Sequence, residues 1–225
     1  MPDSFIPSTM ELFRALKLPS ISLMGPINFF RIAIALLLLG TYTSLRAQVC
    51  NGSLGDPVVN VNFGSGTTTG NPLLSATTTY SFTSSFCPDD GSYTVVSSSA
   101  GCFGGSWHSF AEDHTPNDVN GYMMLVNASF TPGDFYVDTV KDLCANTTYE
   151  FAAWISNVLL PTSCSPNPIL PKLIFNIETT GGIVLGSYSS GDIPSTTSPT
   201  WTQFGLFFTT PLNTCLLYTS PSPRD

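Results

Sequence analysis

Positive charge is scarce in this 225-residue chain, which has seven Lys and Arg against fifteen Asp and Glu. Only Lys141 and Lys172 lie between residues 48 and 214, where twelve acidic residues leave a net charge of −10. A surface this acidic repels phosphate groups, which argues against binding to nucleic acid or to an anionic membrane surface. Neutral glycans and divalent cations are compatible partners.

Catalytic motifs are also lacking. The chain has no H-E-x-x-H helix motif, no G-x-S-x-G elbow and no C-x-x-C pair. Its two histidines, His108 and His114, are six residues apart in a predicted loop, a spacing that does not fit a zinc hydrolase. No pair of carboxylates stands out for glycoside hydrolysis. We therefore expect a protein that is not an enzyme.

Residues 1–47 are predicted to form a leader. The apolar run "IAIALLLL" follows Arg31 and is too short to span a bilayer as a helix. Such a run is typical of a secretory signal, here with cleavage after Ala47. Met24 would give a signal of ordinary length, so we expect the true start there. A secreted or cell-surface protein, with no membrane insertion after cleavage, follows from this reading.

The segment before Met24 has a different pattern. "STMELFRALKL" is typical of a short capped helix in which Ser8 faces Glu11. We therefore expect a small helix near the start of the chain.

Alternation of apolar and polar residues dominates the chain after residue 48. In "VVNVNF", for example, Val59, Val61 and Phe63 share one face of a strand. Eight or nine such segments, separated by turn signals, predict one all-β sandwich over residues 48–214. The segments are "VVNVNF", "TTTYSFTSS", "SYTVVSSS", "GYMMLVNASF", "DFYVDTV", "TYEFAAWISNV", "KLIFNIETT", "IVLGSYS" and "WTQFGLFFTT".

The densest group of polar residues lies at 104–122, "GGSWHSFAEDHTPNDVNGY". Oxygen ligands from Asp113, Asp118 and Asn120 in this loop suit a calcium ion of structural role, although the EF-hand spacing is absent. The alternative is that these side chains bond only their own loop backbone. Both readings stay open at this stage.

The three tryptophans receive different interpretations. Trp154 lies in mid-strand among apolar neighbours and is expected in the core, and Trp201 opens a strand and is expected to seal the sandwich edge. Trp107 lies in a glycine-rich loop beside the acidic residues. Since exposed tryptophans stack on sugar rings, Trp107 is the candidate glycan contact.

Cysteines in a secreted chain predict disulfides. A bond between Cys144 and Cys164 looks strained, because the strand between them spans about 30 Å while bridged Cα atoms lie within about 7 Å. We therefore expect cross-pairing among Cys87, Cys102, Cys144 and Cys164, in an order that the sequence leaves open.

Three stretches carry a resemblance to known families. "EDHTPNDVNGYMMLVNAS" resembles a segment of MAM domains, and "GDPVVNVNFGSG" and "WTQFGLFFTTP" resemble strands of carbohydrate-binding-like jelly rolls. "SFTPGDFYVDTVKDLCANTTYEFAAWISNV" is similar to the N-terminal domain of very large surface proteins of gliding bacteria, which continue into PKD-like repeats and a gliding-motility-associated C-terminal domain. The resemblance implies a jelly-roll fold with a closing strand and a last cysteine, and leaves Cys50 unpaired without that cysteine.

The final residues 215–225, "CLLYTSPSPRD", match the in-frame translation of a widely used transposase sequencing adapter. We therefore expect this tail to be non-native and to belong to no fold. The jelly-roll β-sandwich would then be truncated at about Thr214, before its closing strand and before further C-terminal domains. Such a sandwich would have an unpaired edge.

Taken with the resemblance, these features predict a non-catalytic secreted or cell-surface module for adhesion or glycan binding. Its partners would be glycans or surface polymers. The alternatives are an accessory domain of a secreted hydrolase and a pure structural spacer.

Overall fold

The computed structural model describes residues 4–16, 57, 59–164, 168–212 and 216–221 of the chain. The described residues contain no α-helix and form eleven strands. The strands are β1 Ser4–Leu16, β2 Val59–Val61, β3 Ser81–Phe82, β4 Ser92–Val96, β5 Met123–Asn127, β6 Asp134–Asp138, β7 Thr148–Asn157, β8 Lys172–Thr179, β9 Val184–Asp192, β10 Thr202–Thr209 and β11 Leu216–Pro221. The all-β class predicted from the alternation is confirmed, and each of the nine predicted segments contains or overlaps one strand.

The strands form two sheets. The larger sheet has the order β10-β7-β1-β5-β4-β3, with β2 paired to β1, and the smaller sheet has the order β6-β11-β8-β9. All pairs are antiparallel except β3 with β4, which are parallel. The jelly-roll connectivity stays a prediction.

The inner core lies between the two sheets. Phe151 of β7 and Phe175 of β8 belong to opposite sheets, and their ring centroids are 5.5 Å apart. Both side chains are fully buried, and each such burial contributes about 1.5–3 kcal/mol to stability. This shared core makes the two sheets a sandwich.

A second, smaller core covers the outer face of the larger sheet. The loop between β4 and β5 folds back over that face and buries apolar side chains from the loop, β4, β5 and the segment after β7. The members of this outer core are Val96, Cys102, Trp107, Phe110, Met123, Leu125, Val158 and Leu159. Packing therefore fixes the position of the polar loop at residues 104–122.

Two expectations about the ends of the chain are wrong. Residues 4–16 form β1, paired with β7, β5 and β2, and not the short helix expected from Ser8 and Glu11. Residues 216–221 form β11, paired with β6 and β8, and so do take part in the fold. The physical reason is the same in both cases, because strand pairing uses backbone groups that any sequence carries and overrides weak local preferences.

An unpaired edge was expected from the missing closing strand, whereas β11 lies between β6 and β8 and pairs with both. Of the leader predicted at residues 1–47, residues 4–16 instead form β1 of the larger sheet, and the proposed signal at residues 24–47 lies outside the described residues. No described helix is long and apolar enough to cross a bilayer.

Candidate functional site

Trp107 is buried in the outer core, with 3% of its surface exposed. Its backbone bridges to Leu159, and its indole lies 4.5 Å from the Phe103 ring. The glycan contact predicted at Trp107 is therefore wrong. A glycine-rich loop suggested exposure, but the loop folds back onto the sheet and takes its tryptophan with it.

Hydrogen bonds hold this loop in place. The hydroxyl of Ser99 donates to the carbonyl oxygen of His108 at 2.7 Å and accepts from the N–H of Phe110 at 3.0 Å. The N–H of His108 donates to the carbonyl oxygen of Val158 at 2.7 Å, just past β7. The loop is thus attached both to itself and to the sheet.

The cysteine pairing differs from the expectation. Cys87 and Cys102 form a disulfide with their Cα atoms 5.3 Å apart, so these two candidates are confirmed. Cys164 is a free, exposed thiol, and its predicted disulfide is wrong. Cys144 is disulfide-bonded, so this candidate is confirmed too, but its bond is not with Cys87, Cys102 or Cys164, and the expected cross-pairing is wrong. Cys50 lies outside the described residues.

Asp113 lies at the centre of a compact turn. It is buried, and its carboxylate accepts hydrogen bonds from the N–H of Thr115 at 3.0 Å and from the Thr115 hydroxyl. Burial raises the pKa of Asp113, and the nearby charges of Asp118 and Glu112 raise it further, against the lowering effect of the Thr115 bonds. The turn therefore holds a carboxylate that is costly to ionise.

The structure brings Asp113 and Asp118 together around Gly121. A Cβ atom on Gly121 would overlap the Asp113 carboxylate and lie 3.2 Å from the carboxyl carbon of Asp118. The carbonyl oxygen of Asn120 instead accepts a hydrogen bond from the N–H of Gly66 at 2.9 Å. Among the described residues there is no group of three or more His, Cys, Asp or Glu that could hold a metal ion.

The two histidines contact different parts of the molecule. His108 is buried, and its Nε2–H donates to the carbonyl oxygen of Thr196 at 2.8 Å. Burial lowers the pKa of His108, and this hydrogen bond raises it by a smaller amount. The ring of His114 stacks on Trp154, which is half-buried on the outer face of β7 and not in the inner core as expected.

Trp201 lies immediately before β10 and packs against the outer core. Its ring meets Phe110 edge to face at 5.0 Å and His114 at 6.3 Å. That Trp201 seals an edge of the sandwich stays a prediction.

A cavity of about 550 Å³ lies beside Tyr122, which follows Gly121 in the chain. Its wall includes the rings of Phe63, Tyr122 and Tyr136, and uncharged polar side chains also line it, including Asn62 and Asn71. Its volume falls within the range of small-molecule binding sites. None of the described residues that line it is charged at neutral pH.

Two tyrosines, Tyr122 and Tyr136, line this wall. Burial, the Asp138 charge and a hydrogen bond to Asp138 raise the pKa of Tyr136, so its hydroxyl stays protonated at neutral pH. The Phe63 and Tyr136 rings meet edge to face, with centroids 6.2 Å apart. The cavity can therefore offer ring surfaces and neutral hydrogen-bonding groups, but no ion pair.

Glycines allow the segment 62–73 to wrap around Tyr122. A Cβ on Gly66 would overlap the Tyr122 hydroxyl, and one on Gly70 would lie 3.1 Å from the Tyr122 ring. This cavity was not predicted from the sequence. The available signal was the spacing of Gly64, Gly66 and Gly70 after a short strand, because glycines permit close approach to an aromatic ring.

Comparisons with protein-family models, with curated proteins and with solved structures found no match to this chain.

Proposed function

We propose that the protein is a non-catalytic, secreted or cell-surface β-sandwich module that binds a neutral glycan in the cavity beside Tyr122. The observation that carries the proposal is the lining of this cavity, which combines aromatic rings with uncharged polar side chains. Adhesion to a glycan-bearing surface would be the biological consequence.

The lining matches the chemistry of a sugar. The C–H faces of a sugar ring pack on aromatic rings, and its hydroxyls pair with amide and hydroxyl side chains such as those of Asn62 and Asn71. The surrounding acidic chain repels carboxylated or sulfated polymers, whereas a neutral polymer meets no such barrier. A neutral glycan therefore fits both the cavity and its surroundings.

The extracellular location rests on different evidence. The Cys87–Cys102 disulfide is of the kind that persists in oxidising compartments. The predicted secretory signal agrees with that compartment.

The test is a binding titration of the full chain, by isothermal calorimetry, with four neutral oligosaccharides: cellohexaose, xylohexaose, mannohexaose and laminarihexaose. We expect at least one to bind, with an affinity that changes little between low and high salt, because no charged group lines the cavity. Polygalacturonate and alginate serve as anionic comparisons and should not bind.

Variants localise the binding. Asn62→Ala and Asn71→Ala remove exposed amides of the cavity and should weaken binding by about tenfold, the equivalent of one lost hydrogen bond of about 1.4 kcal/mol. Gln203→Ala removes an exposed amide from β10, which contributes no lining residue, and should leave binding unchanged. Absence of binding across the panel would contradict the proposal and favour a structural spacer.

A further inference from the structure

We propose that the contact between Asp113 and Gly121 positions the rim of the cavity, so that Asp113 acts as a positioning residue for ligand binding without touching the ligand. The consequence for binding rests on the proposed function. The positioning itself is a property of the fold and can be measured without any ligand.

The rim is attached to the segment that contains Gly121. Ser65 and Gly121 form an antiparallel bridge, in which the N–H of Tyr122 donates to the carbonyl oxygen of Gly64 at 2.7 Å and the N–H of Gly66 donates to that of Asn120 at 2.9 Å. Gly64, Ser65 and Tyr122 all line the cavity. Displacement of Gly121 would therefore move both sides of the bridge.

Asp113 fixes Gly121 from the opposite side. Its buried carboxylate, held by the N–H and the hydroxyl of Thr115, packs directly against the Cα atom of Gly121 and leaves no room for a Cβ. The φ angle of Gly121 lies outside the left-handed region, so an alanine there would suit the backbone. Gly121 is thus required for space and not for conformation, and the group that overlaps a Cβ there is the Asp113 carboxylate, with the Asp118 carboxyl carbon 3.2 Å away.

A carboxylate at this position is not explained by stability alone. It is buried, and the negative charges of two nearby acids, Glu112 and Asp118, repel it. A smaller neutral side chain would avoid that cost. The contact with Gly121 gives the carboxylate a role in the geometry of the turn and hence of the rim.

The experiment is amide hydrogen exchange, measured by NMR on the full chain without ligand. The reporters are the amides of Gly66 and Tyr122, which form the two bonds of the bridge. Gly121→Ala should raise exchange at both amides by about tenfold or more, since the added Cβ forces the turn and the rim apart. Gly181→Ala is the matched control, because a Cβ there meets only Thr179 Oγ1 at 3.7 Å.

A second variant tests the role of Asp113. In Asp113→Ala/Gly121→Ala the overlapping carboxylate is removed, so exchange at Gly66 and Tyr122 should return toward that of the Asp113→Ala single variant. Failure of the double variant to recover would overturn the assignment to Asp113. If Gly121→Ala does not fold, Thr115→Val, which removes one hydrogen bond to the carboxylate, should raise exchange at the same amides by a few fold, and unchanged exchange would overturn the inference.

Binding of the four neutral hexasaccharides is measured in the same variants. Weaker binding in Gly121→Ala that is recovered in the double variant supports the positioning role, provided that these variants unfold at the same urea concentration as the wild type. A merely structural defect would move the urea midpoint as well. Unchanged exchange in Gly121→Ala overturns the inference whatever the sugars do. If Gly121→Ala raises exchange at Gly66 and Tyr122 but the protein binds none of the sugars, the positioning of the rim is supported and only the proposed function is contradicted.

Discussion

The imidazole of His114 stacks on the indole of Trp154, with ring centroids 3.7 Å apart and an angle of 19° between the planes. Trp154 belongs to β7, which lies between β10 and β1 in the larger sheet, and His114 follows directly after Asp113 in the loop. The stacked pair therefore attaches the acidic turn to the outer face of the sheet. The same turn is bonded to the rim of the cavity through the bridge between Gly121 and Ser65.

His114→Ala should destabilise the protein by about 1 kcal/mol, the typical contribution of an aromatic pair beyond its buried area. It should also shift the tryptophan emission to longer wavelength, because the half-buried Trp154 loses its cover. Urea unfolding followed by fluorescence measures both effects. Ser109→Ala, at an exposed position of the same loop, is the control and should change neither.

Trp107→Ala should cost about 3–5 kcal/mol of the free energy of unfolding, as expected for a large aromatic side chain removed from a packed core. The outer core holds this side chain against Phe103 and the segment after β7. Urea unfolding measures the loss. A variant of unchanged stability would contradict the burial of Trp107 and restore it as a surface contact.

The strands were predictable because each carries its own signal. In "KLIFNIETT" the residues Leu173, Phe175 and Ile177 share one face of the strand and are buried in β8, whereas the residues between them are only half-buried. Burial of the inner core follows from that alternation alone. The positions of turns were likewise marked by Gly, Pro and Asp.

The site was less predictable because it depends on tertiary packing. Nothing local distinguishes a glycine-rich loop that is exposed from one that folds back over a sheet, which is why Trp107 was misplaced. The pairing of Cys87 with Cys102 depends on the same fold-back, which brings their Cα atoms within 5.3 Å. The cavity arises where residues from β2, β4 and β6 meet the segment 62–73, and no single segment indicates it.

Removal of the Cys87–Cys102 disulfide should cost about 3 kcal/mol, because the bond closes a loop with a sequence separation of 15 residues. Cys87→Ala/Cys102→Ala is the variant, and urea unfolding measures the loss. Cys164→Ser should leave stability unchanged, since that thiol is free and exposed. N-ethylmaleimide should label Cys164 in the native protein, and a native protein without label at Cys164 would contradict the cysteine assignment.

His108 should make stability depend on pH. Burial keeps its pKa below the ordinary value of 6.5, so the native state resists the proton that the unfolded chain takes up. The contribution of His108 is therefore complete above pH 6.5 and is lost as the pH falls below that value toward its folded pKa. The free energy of unfolding of the wild type should fall over this window.

His108→Gln isolates this effect, because the amide can still donate to the carbonyl oxygen of Thr196 but does not titrate. We expect the difference in unfolding free energy between wild type and His108→Gln to shrink or reverse between pH 7.5 and pH 5.5. The raised pKa of Asp113 acts in the opposite direction, with stability gained on acidification, and is common to both proteins, so it cancels in the difference. A constant difference across the window would rule out a neutral, buried His108.

Calcium binding by Asp113, Asp118 and Asn120 stays a prediction. Burial and the neighbouring charges raise the pKa of Asp113, so a cation at the turn would relieve repulsion that the fold now holds. Calcium, compared with a chelator, should then raise the midpoint of thermal unfolding, by about 2–4 °C for each kcal/mol of binding free energy. Calorimetric scans measure the shift.

Two variants decide whether the acidic turn is responsible. Asp118→Asn removes one of the two carboxylates that meet at Gly121 and should abolish the calcium shift, whereas Asp90→Asn removes an exposed acid outside this turn and should leave the shift intact. Equal midpoints with calcium and with chelator would mean that Asp113 serves only to hold Thr115 and to pack against Gly121. In that case the rim of the cavity would be positioned by the protein alone, through the carboxylate that the fold has buried there.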